Sequence, residues 1–130
     1  MVQGTIEDLT VAIRQKESEL LDREADYART NRCLEEKMRD LYDRRHYLAN
    51  ILEQEGERMR QFLIHHDAGQ EEAESFYRRI YELQDEAERT YKNLLCDLEE
   101  ELEESKRLFF RERDQLETEL HDLRRCYYDD

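Results

Sequence analysis

An all-α fold, built from long helices that pair as a coiled coil, is predicted by three features of this chain of 130 residues. There is no proline and there are three glycines, so almost nothing interrupts a helix. Charged residues make up 43% and apolar residues 38%, a balance suited to a solvated helix carrying one oily stripe. Finally, one heptad phase, mostly apolar at its a and d positions, runs unbroken from Met38 to Leu94. A seven-residue repeat keeps its first and fourth positions, a and d, on one helix face, which only another helix can hide from water.

Residues 1–4 are expected to fray, with Thr5 capping the first helix and Asp8 three residues on, as in a capping box. The whole of 1–130 then reads as a single coiled-coil region in three stretches. Over 1–37 the seam is weak. Ile6, Ile13, Leu20, Tyr27 and Leu34 occupy d, but a holds Gln3, Thr10, Glu17, Glu24 and Asn31. Over 38–94 it is strong. Position a runs Met38, Arg45, Leu52, Met59, His66, Ala73, Ile80, Ala87, Leu94. Position d runs Leu41, Leu48, Glu55, Phe62, Gly69, Phe76, Leu83, Thr90. Twelve of those seventeen residues are apolar, against four of the twenty-four at the outer b, c and f positions, so the stripe is one-sided. Over 95–127 the phase shifts by one residue. Leu95, Leu102, Phe109, Leu116 and Leu123 become a; Leu98, Ser105, Glu112, Glu119 and Cys126 become d. Leu120 and Tyr127, at e, partly replace the polar d residues. A one-residue slip is absorbed by local unwinding of the supercoil.

Two architectures satisfy this pattern. A nearly continuous helix is favoured by the heptad phase that persists through residues 65–70, because a loop has no reason to keep phase. A glycine inside a long helix costs only about 1 kcal/mol. The alternative is an antiparallel helical hairpin with a turn near Asp67–Gln70, where Gly69 would end one helix in the left-handed conformation.

The e row carries the functional expectation. It reads Tyr42, Ala49, Gly56, Leu63, Gln70, Tyr77, Gln84, Tyr91, while g is mostly charged (Arg44, Arg58, Glu72, Arg79, Glu86). A stripe widened from a/d to a/d/e suits a helix with more than one neighbour. Tyr42, Leu63, Tyr77 and Tyr91 are therefore expected to bind a partner, tyrosine being suited to a patch that is oily but keeps a polar tip. The assembly seam itself is expected at Met38, Leu41, Leu48, Leu52, Met59, Phe62, Phe76, Ile80, Leu83, Leu94, Leu102, Phe109, Leu116 and Leu123. Arg45, Glu55 and His66 interrupt it. In a parallel homodimer each of these would face its own copy, whereas antiparallel pairing lets Arg45 face Glu55 of a second copy.

Other chemistry is not expected. His65 and His66 diverge by about 100° on a helix and do not share an ion. Glu99-Glu100-Glu101 and Glu103-Glu104 are splayed around a straight helix, not converged as a calcium loop requires. No phosphate loop, nucleophile pair or catalytic cleft is recognisable, so neither an enzyme, a cofactor, a metal nor a small-molecule substrate is expected. The three cysteines, Cys33, Cys96 and Cys126, are too scattered for a disulfide framework and suit a reducing, cytoplasmic setting. Met1-Val2-Gln3-Gly4 leads into an amphipathic helix, so no secretory leader is expected. The net charge of −14 opposes binding to nucleic acid and to anionic membranes. The partners expected are other protein helices, in a homo- or hetero-oligomer.

Leu98-Glu99-Glu100-Glu101-Leu102-Glu103-Glu104 is similar to stretches of myosin-like and other long eukaryotic coiled-coil rods. Phe62-Leu63-Ile64-His65-His66-Asp67-Ala68 resembles a Phe-Leu-x-x-Asn-Asp-Ala stretch of axonemal and basal-body coiled-coil proteins, with His66 standing in place of asparagine. The resemblance implies a structural protein or scaffold of the cytoskeleton, in a cilium or centriole. The contrasting expectation is a helical-hairpin adaptor or chaperone-like binding module. For the rod that assembles through a and d, helicity is expected to depend on concentration and Leu48→Asp or Leu83→Asp to destroy assembly, read by circular dichroism.

Overall fold

The computed structural model describes residues 2–66 and 69–129, with side chains from Ile6 onward. These residues form two helices, α1 (Val2–His65) and α2 (Gln70–Asp129), and no strand occurs among them. The expected all-α class is therefore present, and the hairpin alternative is the architecture found. The continuous helix is not: α1 stops where the heptad phase ran on. Asp67 and Ala68, the middle of the expected turn, lie outside the described residues.

The local bonding explains the stop. His66 N–H donates to the Phe62 carbonyl at 3.1 Å, closing α1, and Ala73 N–H donates to the Gly69 carbonyl at 3.3 Å, opening α2. Gly69 therefore serves as the residue ahead of α2, a position glycine fills acceptably. It is not a left-handed terminator of α1, since its φ lies outside that region. Nor does α1 wait for Thr5 as a cap, because the helix already includes residues 2–5. A turn competes well with a continuous helix for a general reason. Tethering two stripes in one chain makes their pairing intramolecular, with an effective concentration no separate partner matches.

Contacts divide the chain into two units, one made of Met1–Leu34 with Glu100–Asp130 and the other of Glu35–Glu99. Within Glu35–Glu99 the helices form an antiparallel hairpin. Its α1 face begins on the expected rows, with Met38, Leu41 and Leu52 half-buried. Toward the turn it rotates onto e at Leu63, which is half-buried, whereas Phe62 is 53% exposed. The phase that appeared to cross the turn is thus not the one the tip uses. On α2 the half-buried row runs Ala73, Phe76, Ile80, Leu83, Ala87, Tyr91, Leu95, Leu98. Consecutive steps of four from Leu83 to Leu95 insert the extra residue one turn earlier than its expected place after Leu94. Leu94 is left 46% exposed, and Tyr91 takes its place in the seam.

In the other unit the pairing is also antiparallel, because rising numbers on α1 meet falling numbers on α2. Glu17 accepts from Arg124 at 3.0 Å, Lys16 pairs with Glu119 at 2.6 Å, and Arg23 with Glu112 at 3.4 Å. Tyr27 then stacks on Phe109, ring centres 4.3 Å apart and planes within 5°. Arg113 lies 4.6 Å over the ring of Phe110, extending the aromatic cluster. Leu102, Phe109, Leu116 and Leu123 are half-buried, and Leu34 and Leu120 are buried. The polar a residues of the weak seam are thus answered in part by ion pairs across the interface, as Glu17 is by Arg124.

The Lys16–Glu119 pair makes this unit sensitive to pH. Hydrogen bonds from Lys16 and Gln115 hold the Glu119 carboxyl below the usual carboxylate range. The bond to Glu119, acting against partial desolvation and helped by the charges of Glu119 and Glu19, raises the Lys16 ammonium above its usual range. The Glu119 contribution is present above the unfolded carboxylate range and is lost as pH falls through the depressed folded value. The Lys16 contribution is present below the unfolded ammonium range and is lost as pH rises through the raised one. Both groups are solvated, so the effect is modest. Lys16→Met is expected to flatten the acid and alkaline limbs of a plot of melting temperature against pH; limbs as steep as those of the wild type would refute the pairing.

Candidate functional site

The face of the hairpin Glu35–Glu99 that carries the e rows is the candidate site. Because α1 and α2 run antiparallel, the e residues of both helices flank one groove. Tyr42 and Ala49 lie on one wall, Gln84 and Tyr91 on the other, and Leu52 and Ala87 at the seam between them. The groove has a volume of about 810 Å³. Its small residues, Ala49 and Ala87, leave it open, and its tyrosines make its lips oily yet capable of hydrogen bonding.

Arg45 organises this face. Its Nε donates to Glu88 Oε2 at 3.0 Å and its Nη2 to Oε1 at 2.6 Å, a two-pronged fork that joins the helices. The same guanidinium lies 4.5 Å from the centre of the Tyr91 ring. Arginine suits this place because its planar fork matches a carboxylate edge while its face stacks on an aromatic ring. The expected partner, Glu55 of a second copy, is not used; Glu55 pairs instead with Arg58 one turn along its own helix, at 3.2 Å. An isolated cation in the seam would destabilise it, and the fork resolves that problem inside one chain.

Of the residues expected to bind a partner, Tyr42 and Tyr77 stand at the surface, 50% and 38% exposed. Tyr91 is half-buried beneath Arg45, and Leu63 is half-buried near the turn. Of the seam residues in this unit, Met38, Leu41, Leu52, Phe76, Ile80 and Leu83 are half-buried. Leu48, Met59, Phe62 and Leu94 remain exposed, at 40%, 37%, 53% and 46%. The tyrosine edge extends to His46, whose ring meets Tyr42 edge-on at 4.4 Å. His66 stacks on Phe62 at 4.1 Å, and its Nδ1 lies 3.0 Å from the Phe62 carbonyl.

Sequence reasoning passed over two features of this face. One is the Arg45–Glu88 fork, which becomes legible only once the antiparallel register is known. The other is Gly56: a Cβ built on it meets no atom within 4 Å. Its placement in the e row was the available signal. Among the described residues no group of three His, Cys, Asp or Glu side chains converges as a metal site. The cysteines Cys33, Cys96 and Cys126 are exposed.

The chain matches no protein-family description, curated protein or solved structure.

A double-mutant cycle on Arg45→Met and Glu88→Leu is expected to give a coupling of about 1 kcal/mol in chemical denaturation, the fork being half-exposed. A coupling near zero would show that the fork does not hold the helices together.

Proposed function

We propose that this chain is a non-catalytic structural or scaffolding protein that works by helix–helix recognition, its hairpin offering the tyrosine-edged face to other protein helices. One observation carries the reading. Among the described residues only Leu34 and Leu120 are buried hydrophobics, while sixteen large apolar side chains are exposed. Tyr42, Leu48, Met59 and Tyr77 of the hairpin Glu35–Glu99 are among them, and apolar side chains that the hairpin itself leaves uncovered suit association with a further helix. The helices themselves are amphipathic, and none is long and apolar enough to cross a membrane among the described residues, which favours protein over lipid as the covering.

The setting proposed for this activity is the cytoskeleton, as part of a ciliary or centriolar assembly. Its support is the resemblance of Phe62–Ala68 to axonemal and basal-body coiled-coil proteins, beside the broader likeness of Leu98–Glu104 to long eukaryotic coiled-coil rods. The hairpin itself favours the adaptor form of the proposal, in which a short helical arm clasps a partner helix.

The test is the double variant Tyr42→Lys, Tyr77→Lys. Neither ring is needed to close the hairpin, so helicity should remain unchanged. Tagged wild type should sediment from cell extract with assemblies much larger than its own 16.0 kDa, and the variant should be released from them. Wild type and variant sedimenting alike as small species would refute the proposal.

A further inference from the structure

We infer that the occupant of the tyrosine-edged face is a second copy of this chain. The two copies are related by an axis parallel to the helices, with Tyr77 of each seated over Gly56 of the other and Arg60 set against Glu74. The inference rests on the helix-recognition function proposed above and names its partner.

Three independent features lead to it. The first is an unexplained glycine. Glycine is unfavourable inside a helix, and no close approach within the chain requires it at residue 56, since the space beside its Cα is open. Something outside the chain accounts for it. The contact of Arg45 with Glu88 and Tyr91 sets the register of the hairpin. Stepping eleven residues from there along each helix brings Gly56 level with residues 77–80. A copy rotated about an axis parallel to the helices lays α1 against α2 of its mate at equal levels. The exposed ring of Tyr77 then meets the gap at Gly56, and the short Ala49 meets Gln84. Large residues oppose small ones along the contact, as interdigitated packing requires.

The second feature is charge. Just outside the e rows, α1 presents His46, Glu53 and Arg60, and α2 presents Glu88, Tyr81 and Glu74 at the same levels. In the proposed arrangement Arg60 faces Glu74, the Tyr81 hydroxyl can donate to Glu53, and His46 lies beside Glu88. Symmetry makes each of these contacts twice. Among the described residues Arg60 pairs with Glu57 of its own helix, at 3.8 Å, and Glu74 accepts from the neutral amide of Gln70, at 3.3 Å. An axis perpendicular to the helices would instead bring α2 against α2, setting acidic edge on acidic edge. A foreign helix would have to reproduce both edges of this hairpin to fit as well.

The third feature is area. The chain exposes 10668 Å², whereas a compact chain of 16.0 kDa exposes about 7,400 Å². The excess, about 3,300 Å², leaves ample room for an interface of about 800 Å² per partner.

The experiment uses the full chain and reads its mass by light scattering and sedimentation at micromolar concentration. Wild type is expected at twice 16.0 kDa. Gly56→Leu is expected to weaken the dimer about tenfold or more by overfilling the gap, while its helix melts no lower than wild type at dilutions where both are monomeric. These opposite movements separate a lost interface from a lost fold. Arg60→Glu and Glu74→Arg should each be monomeric alone and form a dimer when mixed in equal amounts, because only the mixed pair sets acid against base at both contacts. Wild type remaining at 16.0 kDa, Gly56→Leu dimerising as tightly as wild type, or a mixture that stays monomeric would each overturn the inference. If a monomeric chain still enters larger assemblies through Tyr42 and Tyr77, the helix-recognition function stands and the second copy is excluded as its partner.

Discussion

Two helices meet along a line, not around a volume, and every other property of this molecule follows from that constraint. A side chain at the seam is covered from one direction only, so most seam residues are half-buried where a globular core would enclose them. Burial alone therefore supplies little positional information, and side-chain geometry supplies the rest. The Arg45–Glu88 fork, the Tyr27–Phe109 stack and the Lys16–Glu119 pair each join particular residues on α1 to particular residues on α2. Each is modest in energy, and half-exposed ion pairs are modest for good reason. Their value lies in selecting one sliding position of two smooth helices over its neighbours.

Most of the secondary structure was legible in the sequence, because it depends on local rules: no proline, few glycines and one apolar stripe. Heptad reasoning also found the one-residue shift on α2, although the structure begins it at Tyr91. Tyr91 reads as an e residue expected to bind a partner, because the letter counts its place on the helix and not what lies opposite. Arg45 supplies the reason it turns inward, since a guanidinium seeks both an aromatic face and a carboxylate.

The turn was not legible with equal force, and the cause is physical. Heptad phase reports which face of a helix is oily; it does not report whether the covering helix belongs to another chain or to the same one. Near the turn the oily face of α1 rotates from Phe62 to Leu63, and periodic lettering treats the two alternatives as continuous. The favoured continuous helix runs through Gly69, while the hairpin alternative places the break there but in the left-handed conformation, because the residue that precedes a helix and the residue that follows one favour overlapping side-chain types. The tyrosine-edged face was legible as composition, in the contrast of its e and g rows. The gap at Gly56 was not, since a missing side chain has meaning only against a known neighbour.

The placement of the turn has a consequence for biosynthesis. α1 is synthesised whole before the first residue of α2 is made, and its counterpart across the seam is 60 residues long. At roughly 5–20 residues per second, α2 takes about 3–12 s to complete. Glu17 must wait for Arg124, 107 positions downstream. For that interval the emerged part of the nascent polypeptide displays a half-clothed amphipathic surface to solvent. Newly made copies on one messenger, held side by side, are thereby exposed to mispairing with each other before either has closed on itself.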